Sequence, residues 1–355
     1  MRKIRVAYIE YEKREPSTGI GNVCMNLGNV LSKSEKIHLV KLMPPNMRFG
    51  KSVLGDTLNK VIFEFWRRFI CPINIIRMQI DIYIEMNMLL PKYYLCEKVY
   101  FVHDAAFYMY QDHVTKKNYR KRMNLINNIK KNDVKILTNS FSTKNDLMHF
   151  FGIESDRMDV CHLAASCDIE SGKKKLPDYD GYFLYVGTIE PRKNIIELIR
   201  AFEKFLRVST YKYKLIIVGK KGWMSHEVCK VLEQHKNIVE VIGYVSNYEL
   251  AEWYKGARAL VYPSLYEGFG LPILEAMKYR TPVITCDNSS LREVAGDAAL
   301  YCKEDAISIA KAMLKIANDQ GLCTDLISRG IDREKMFTWE DFGESVVSSL
   351  TGTRI

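Results

Sequence analysis

The chain has 355 residues, more than the roughly 250–300 that one hydrophobic core usually supports, so two domains are expected. Its 47% hydrophobic and 26% charged residues exclude a largely disordered protein, and no apolar run reaches the ~18 residues of a membrane-spanning helix. The 52 basic and 42 acidic residues give a formal net charge of +10, and nine cysteines without a C-x-x-C pair indicate reduced thiols rather than a disulfide framework or a zinc site.

The positive charge is confined to the first half of the chain. Residues 1–165 hold 26 basic and 16 acidic residues, an excess of 10, whereas residues 166–355 hold 26 of each. This excess predicts an anionic partner for the first half, such as a lipid surface, a phosphorylated acceptor or nucleic acid. The first residues, interrupted by Glu10, indicate a strand rather than a signal peptide, which favours a cytoplasmic protein.

Short apolar runs alternate with helical patterns along the whole chain. Several runs are apolar at nearly every position, as expected of parallel strands covered on both faces. The predicted strands are 5–10, 38–43, 80–85, 98–104, 135–139 and 159–163 in the first half and 182–187, 214–219, 239–244, 259–264, 282–285 and 299–302 in the second. This alternation predicts two doubly wound α/β domains.

Helical periodicity and a polar stretch define the predicted organisation. Apolar positions line one face of helices at 195–205 and 250–257, and the second helix begins with the capping-box pattern Ser246-Asn-Tyr-Glu249. The polar residues 166–180 have the composition of a linker. We therefore expect an N-terminal domain at 1–165, a C-terminal domain at 181–338, and a last helix near 339–355 that packs back onto the first domain.

The segment 259–277 is the most informative about chemistry. It reads as a strand, a glycine-containing turn and a helix with Pro272 in its first turn. The turn amides are expected to be free at the helix N-terminus, an arrangement that binds phosphate: Gly268, Phe269, Gly270 and Leu271. Glu267 before the turn, and Glu275 in the expected first helical turn, could accept hydrogen bonds from sugar hydroxyls. The alternative is an ordinary turn with solvated glutamates.

A basic pair occupies the corresponding position after an earlier strand. Arg192 and Lys193 follow the strand at 182–187 and precede the helix at 195–205. Ligands bind beyond the carboxyl ends of the strands in open α/β sheets, so the pair is expected to project into that crevice. The alternative is ordinary surface charge.

The second half of the chain resembles the nucleotide-sugar-binding domain of the retaining family 4 glycosyltransferases, which have the GT-B fold. The similarity lies in residues 186–194, 242–245, 281–285 and 289–299 and in the spacing Glu267-x₇-Glu275. It implies two Rossmann-like domains facing a central cleft, a nucleotide-diphosphate sugar as donor, and no cofactor or metal ion.

The resemblance also implies roles for individual residues. The expected donor contacts are Lys193 and Arg192 with the diphosphate, Glu275 with the ribose, Glu267 with the transferred sugar, the turn amides of 268–271 with phosphate and sugar, and Tyr244 and Val245 with the base. Many relatives have arginine directly after the strand glycine, where this chain has Thr188. More of the diphosphate binding is therefore expected of Arg192 and Lys193.

Two motifs of the first half fit the same family. Residues 16–23 follow the first strand, where relatives have a glycine-rich loop near the phosphates, and Gly21 is the implied contact. His103-Asp104 ends the strand at 98–104 and resembles the family's His-Asp motif, whose histidine faces the donor sugar. A purely structural histidine is the alternative.

Basic and apolar residues of the first half suggest how an acceptor is reached. Residues 116–131 hold seven lysines and arginines, and residues 57–70 combine apolar side chains with Arg67 and Arg68. Such segments suit docking on an anionic membrane that presents a lipid-linked oligosaccharide acceptor. The alternatives are a core helix at 57–70 and a solvated basic face.

The resemblance is nearest to mannosyl- and rhamnosyl-transferring members. It implies a retaining, metal-independent hexosyltransferase of bacterial O-antigen or capsule synthesis, peripheral on the inner face of the cytoplasmic membrane, with GDP-mannose as the first donor to test. One alternative is a nucleotide-sugar epimerase of the same fold, which would work without an acceptor. Another is a basic nucleic-acid-binding protein, but the neutral second half and the lack of a stacking-aromatic module make nucleic acid an unexpected partner.

Overall fold

A computed structural model describes residues 2–10, 19–45, 53–86, 94–111, 114–132, 134–165, 181–210, 212–222 and 226–352. The expected linker at 166–180 lies outside these residues. Within them, two sheets of six parallel strands are formed, one in each half of the chain. No helix of the described residues combines the length and the apolar character needed to cross a bilayer.

The first sheet has the strand order β2-β1-β3-β4-β5-β6. Its strands are β1 Ile4–Ile9, β2 Ile37–Leu42, β3 Ile82–Glu85, β4 Glu97–Val102, β5 Lys135–Thr138 and β6 Met158–Val160. Its helices are α1 Gly19–Ser32, α2 Val53–Phe65, α3 Cys71–Arg77, α4 Ala106–Met109, α5 Lys116–Lys131 and α6 Phe141–Phe151, and a π-helical turn, Trp66–Ile70, joins α2 to α3.

The second sheet has the order β12-β11-β10-β7-β8-β9. Its strands are β7 Tyr182–Val186, β8 Lys214–Val218, β9 Val239–Gly243, β10 Ala259–Tyr262, β11 Val283–Cys286 and β12 Leu300–Cys302. The remaining helices are α7 Ile195–Val208, α8 His226–Gln234, α9 Asn247–Gly256, α10 Leu271–Lys278, α11 Leu291–Ala295, α12 Ala306–Asn318, α13 Gln320–Glu334 and α14 Trp339–Thr351.

The predicted fold class is confirmed, because each of the twelve predicted runs overlaps one of these strands and the helices cover both faces of the sheets. The capping box at the start of α9 is also present, with the Glu249 amide donating to Ser246 Oγ at 3.3 Å and the Ser246 amide to Glu249 Oε2 at 3.2 Å. Local sequence signals of this kind are reliable because the groups that satisfy one another are only three residues apart.

Two features of the first half were not evident from its sequence. The implied contact Gly21 is an exposed residue in the first turn of α1, which begins at Gly19, and residues 16–18 of the glycine-rich segment lie outside the described residues. The segment 57–70 is also not simply a core helix. Trp66 is buried, whereas Phe65 and Phe69 on either side are more than half exposed.

The last helix, α14, lies against the first sheet. The Phe342 ring packs against Phe101 of β4, and Lys135 of β5 donates to the Ser349 carbonyl oxygen at 2.5 Å. Gly343 brings α14 close to α1, since a Cβ at this position would stand 2.8 Å from the Cβ of Val30. The chain thus crosses back to its N-terminal half at its C-terminal end.

This contact predicts that Gly343→Leu destabilises the protein. Forcing a large side chain between closely packed helices costs about 1–3 kcal/mol, so we expect Tm to fall by roughly 4–8 °C in a thermal melt. Glu344→Leu, at the neighbouring exposed position of the same helix, is the matched control and should leave Tm within about 2 °C. Equal melting of both variants would contradict the close approach of α14 to α1.

Candidate functional site

The candidate site lies at the carboxyl ends of the strands of the second sheet. Gly187 after β7 and Gly219 after β8 adopt positive φ angles of 151° and 156°. The Gly187 amide donates to the Val218 carbonyl at 2.9 Å, and a Cβ added to Gly219 would overlap the Gly187 carbonyl. Glycine is therefore required where these two strand ends approach each other.

A compact charged cluster occupies the same edge. Lys193 Nζ lies 2.5 Å from Glu267 Oε1, and Arg192 Nη1 lies 3.2 Å from Glu267 Oε2. The Tyr262 hydroxyl donates to Glu267 Oε1 at 2.7 Å, and Arg192 also pairs with Glu190 at 2.7 Å. The structure thus brings together three of the predicted site residues, on a 3-10 turn before α7 and the loop after β10.

The electrostatics of this cluster follow from its burial. Lys193 is 8% and Glu267 6% exposed. Burial alone would raise the pKa of Glu267, but Lys193 and Arg192 outweigh it and hold this pKa down at about 2. Burial lowers the pKa of Lys193, and Glu267 restores it only in part. Glu267 is therefore an anion at neutral pH, and its two oxygens already accept from both cations.

The turn between Glu267 and α10 is fixed through its carbonyl groups. Ser140 Oγ donates to the Gly268 carbonyl at 2.7 Å, and Ser290 Oγ donates to the carbonyls of Glu267 and Phe269 at 2.9 and 2.8 Å. Gly270, with φ of 106°, is the N-cap of α10. The amides of residues 268–271 do not donate to any other described residue. They remain available to an anion at the N-terminus of an eight-residue helix.

Glu275 lies elsewhere than expected. Because α10 begins at Leu271, Glu275 is its fifth residue and stands beyond the first turn. Its carboxylate is buried and accepts a hydrogen bond from the Tyr254 hydroxyl at 2.8 Å. Glu275 is thus joined to α9 by the Tyr254 hydroxyl, a partner that the sequence pattern did not indicate.

His103 faces this turn from the other domain. Its carbonyl oxygen lies where a Cβ on Gly268 would have to stand, so the two backbones are nearly in contact. Its buried Nε2 has no hydrogen-bond partner among the described residues, while the backbone of Met86 hydrogen-bonds its ring. Burial lowers the pKa of His103 to about 4, against the opposing influence of Asp104. The imidazole is therefore neutral at pH 7.

The remaining predicted contacts lie around this centre. Tyr244 is 44% exposed and its ring lies 4.8 Å from Lys220 Nζ, whereas Val245 is buried. Gly21 is exposed on α1 in the other domain. These residues border the carboxyl edges of the two sheets rather than the charged cluster itself.

Parts of this chain are similar to known glycosyltransferases. Residues 168–333 match the family described as Glycosyl transferases group 1. This segment, somewhat less than half of the chain, is similar to that family and is here called the group 1 domain. The O-antigen chain mannosyltransferase B of Escherichia coli is 36% identical over 218 residues, which cover 58% of this chain and 57% of that protein. The O-antigen chain mannosyltransferase RfbU of Salmonella typhimurium is 35% identical over 207 residues, covering 58% and 56%.

Both of these matches span little more than half of the relative's own length. Solved structures extend the likeness to nearly the whole chain, but only at the level of the fold. Sucrose-phosphate synthase from Thermosynechococcus elongatus superposes with a TM-score of 0.77 at 17% identity, covering 99% of each chain. WaaG, a glycosyltransferase involved in lipopolysaccharide biosynthesis, gives 0.70 at 15% identity, covering 98% of this chain and 100% of its own. The expected GT-B fold is confirmed.

Hydrogen bonds between the group 1 domain and the N-terminal half involve residues that the sequence analysis missed. Glu293 of α11 accepts hydrogen bonds from the Phe141 and Ser142 amides at 2.8 and 2.9 Å and lies 2.7 Å from His162 Nε2. The first turn of α6 has no acidic residue of its own. Its N-cap Ser140 accepts from the Thr143 amide, and the Glu293 carboxylate from the other domain accepts from the two amides before it. That lack of a local acid was the available signal, but it did not identify the partner.

A pocket of about 220 Å³ opens between the two halves beside the cluster. Its polar lining from the first half includes Asp104, Asn118 and Arg122, and the group 1 domain adds Glu190 and Arg192. Asp104 and Arg122 are 3.9 Å apart, and Arg192 pairs with Glu190. The pocket wall therefore has charges of both signs in balance, which suits a hydroxyl-bearing ligand more than a strongly anionic one.

The burial of His103 predicts an unusual titration. With a pKa near 4, its imidazole should stay neutral at pH 5–6, where an ordinary histidine is largely charged. NMR titration of nitrogen-15-labelled histidine measures this pKa, and His103→Asn assigns the resonance by its loss. Because the unfolded chain binds the extra proton between about pH 6.5 and 4, wild type should lose more stability than His103→Asn over that window. An apparent pKa near 6.5 would contradict the buried environment of the ring.

Proposed function

We propose that this protein transfers a hexose from a nucleotide-diphosphate sugar to a lipid-linked glycan during bacterial O-antigen or capsule synthesis, with retention at the anomeric carbon. Mannose from GDP-mannose is the proposed first donor. The proposal is supported by the names of its relatives, which are O-antigen chain mannosyltransferases. The observation that carries it is the buried Lys193–Glu267–Arg192 cluster beside the unengaged amides of 268–271.

In this proposal the cluster and the helix N-terminus hold the leaving group. As the bond from the anomeric carbon to the diphosphate oxygen breaks, the electron pair moves to that oxygen. Fixed amides and cations around it stabilise the developing charge, which is usually the largest contribution to such transfers. His103, neutral and with its buried Nε2 unengaged among the described residues, would accept a hydrogen bond from a hydroxyl of the transferred sugar.

The pKa of Glu267 limits the role that this carboxylate can take. A group with a pKa of about 2 is a weak base at neutral pH and a negligible source of protons. We therefore assign Glu267 to positioning the two cations and the sugar rather than to proton transfer. The proton of the attacking acceptor hydroxyl passes to the departing diphosphate oxygen, and the acceptor oxygen forms its bond from the face that the leaving group vacates.

No metal ion or cofactor is part of the proposed reaction, because Arg192, Lys193 and the helix amides supply positive charge at the diphosphate. The acceptor sugar would occupy the balanced, two-domain pocket lined by Asp104, Asn118 and Arg192. The protein would act at the inner face of the cytoplasmic membrane, where a lipid-linked acceptor is presented.

The donor contacts predict which variants lose nucleotide-sugar binding. A thermal-shift panel of UDP, GDP, dTDP and ADP sugars identifies the donor, because a ligand bound only by the native state raises Tm. Lys193→Gln and Glu275→Gln should weaken that donor by about tenfold or more, since each removes one charged contact. Glu267→Gln should mainly lower turnover.

A double variant separates binding from folding. Lys193→Gln alone removes one of the two cations that contact the buried Glu267 carboxylate, so this variant is expected to be less stable. Lys193→Gln/Glu267→Gln removes that carboxylate as well, so no buried carboxylate loses its partner. Donor binding should be weak in both variants, and Lys311→Gln on the exposed side of α12 is the control. Wild-type donor affinity in the double variant would refute the placement of the donor diphosphate at Lys193. Conversion of the donor sugar into an epimer in the absence of an acceptor would favour the epimerase.

The stereochemical and metal predictions are tested on the same purified protein. With the identified donor and an α-mannoside acceptor, proton NMR of the product should show an α-linked hexose, and activity should persist within about twofold in excess EDTA. A β-linked product would overturn retention. Loss of activity in EDTA that returns on addition of Mg²⁺ or Mn²⁺ would overturn metal independence.

A further inference from the structure

A stripe of exposed apolar side chains runs along α2, the π-helical turn and α3. Its members recur at three- or four-residue spacing and are each 42–62% exposed: Leu58, Val61, Phe65, Phe69, Ile73 and Ile76. The opposite side of the same helices already packs in the core, because Trp66, Cys71 and Ile75 are buried against the sheet. A continuous apolar surface that no described element covers marks an interaction site.

The stripe shares one face of the first sheet with the basic helix α5. Trp66 and Ile75 pack with Tyr83 of β3, and α5 packs with Tyr100 of β4. Tyr83 is opposite Lys98 in the parallel register, and side chains alternate between faces along a strand, so Tyr100 points to the same side as Tyr83. Helices α1 and α14 pack against the other face. The apolar stripe and α5 therefore lie side by side.

Helix α5 adds a strong positive charge to this face. Its sixteen residues include no aspartate or glutamate, and six of its cations are exposed: Lys116, Lys117, Arg120, Lys121, Lys130 and Lys131. Arg68 and Arg77 are exposed beside the stripe. One exposed acid, Glu64 of α2, pairs with Arg67. The face thus combines apolar side chains with a net positive surface, the pairing that binds amphipathic helices to anionic lipid.

We propose that the face formed by α2, α3 and α5, here called the docking face, binds an anionic lipid bilayer. The apolar stripe enters the boundary between headgroups and acyl chains, and the exposed cations of α5 contact anionic headgroups. A second copy of the chain fits this face poorly, because a twofold contact would place the same six cations of both copies at one interface. Charge therefore selects lipid as the occupant.

The docking face also reaches the proposed acceptor pocket. Thr115, Asn118 and Arg122, at the N-terminal end of α5, line that pocket, while Lys117 and Lys121 on the same helix are exposed. A bilayer held on α5 would bring a lipid-linked sugar within reach of the pocket. Presentation of a lipid-linked acceptor rests on the proposed function, whereas lipid binding by the docking face does not. Lipid binding and donor binding are therefore tested separately.

Vesicle co-sedimentation tests the docking face with the full chain. Vesicles of phosphatidylcholine with roughly 30% phosphatidylglycerol should bind the wild-type protein, and pure phosphatidylcholine vesicles should bind it at least about fivefold less. Phe65→Ser/Phe69→Ser should lower binding to the anionic vesicles at least about fivefold at low salt. Lys116→Gln/Lys117→Gln/Lys121→Gln should lower it comparably and flatten its salt dependence. Val208→Ser/Ile307→Ser, two exposed apolar residues outside the docking face, is the matched control and should bind like wild type.

Thermal melting and the donor-induced Tm shift are measured on every variant. An unchanged donor shift alongside lost vesicle binding supports the docking face whatever the donor proves to be. If no sugar nucleotide shifts Tm but the variants still differ in vesicle binding as expected, the proposed function is refuted and the docking face is supported. Equal vesicle binding by wild type and Phe65→Ser/Phe69→Ser would overturn the inference. The inference would also be overturned if the wild-type protein did not sediment with vesicles but formed a dimer in analytical ultracentrifugation, and this double variant were monomeric.

Discussion

A buried carboxylate held by two cations organises the second half of this molecule. Glu267 would be costly to bury alone, and it is tolerated because Lys193 and Arg192 both contact it. The same interaction sets the positions of two loops. Arg192 Nη1 donates to the Tyr266 carbonyl at 2.6 Å, and the Leu265 amide donates to the Arg192 carbonyl at 3.0 Å. The loop after β7 and the turn before α10 are therefore one unit, and the free amides of that turn are oriented by a charge pair some 75 residues apart in sequence.

The same turn is also the junction between the two halves. Ser140 Oγ of the N-terminal half donates to the Gly268 carbonyl, and the Tyr266 hydroxyl donates to Asp146 at 2.7 Å while accepting from the Ala105 amide at 3.1 Å. Glycine at 268 is required because the His103 carbonyl occupies the space of a Cβ. A ligand that displaces this turn must therefore also disturb contacts between the halves, which links the proposed donor site mechanically to the domain arrangement.

The sequence was a good guide where the deciding interactions are local and a poor one where they are distant. The strands were predictable because parallel, doubly covered strands are apolar throughout, and the Ser246–Glu249 capping box because its partners are adjacent. The position of Glu275 was missed because the left-handed Gly270 sets where α10 begins. Three other contacts were missed because only the fold brings their residues together. They are the hydrogen bond between Tyr254 and Glu275, the pairing of both cations with Glu267, and the capping of α6 by Glu293. Periodicity also could not say that α2 and α3 have two apolar sides, since it reports spacing and not what covers each side.

The state of the two cations changes how an anionic donor would be recognised. The family resemblance implied that Arg192 and Lys193 contact the diphosphate, and Thr188 in place of arginine made more of that binding fall to them. In the fold they are balanced by Glu190 and Glu267, so the cluster as a whole is close to neutral. A diphosphate would share these cations with Glu267 rather than neutralise them. The amides of 268–271 and the dipole of α10 have no internal partner and therefore add attraction that the balanced cluster alone would not supply. Affinity for the diphosphate then depends on these backbone groups together with Lys193 and Arg192, whereas residue 267 acts mainly on the placement of the cations and of the sugar.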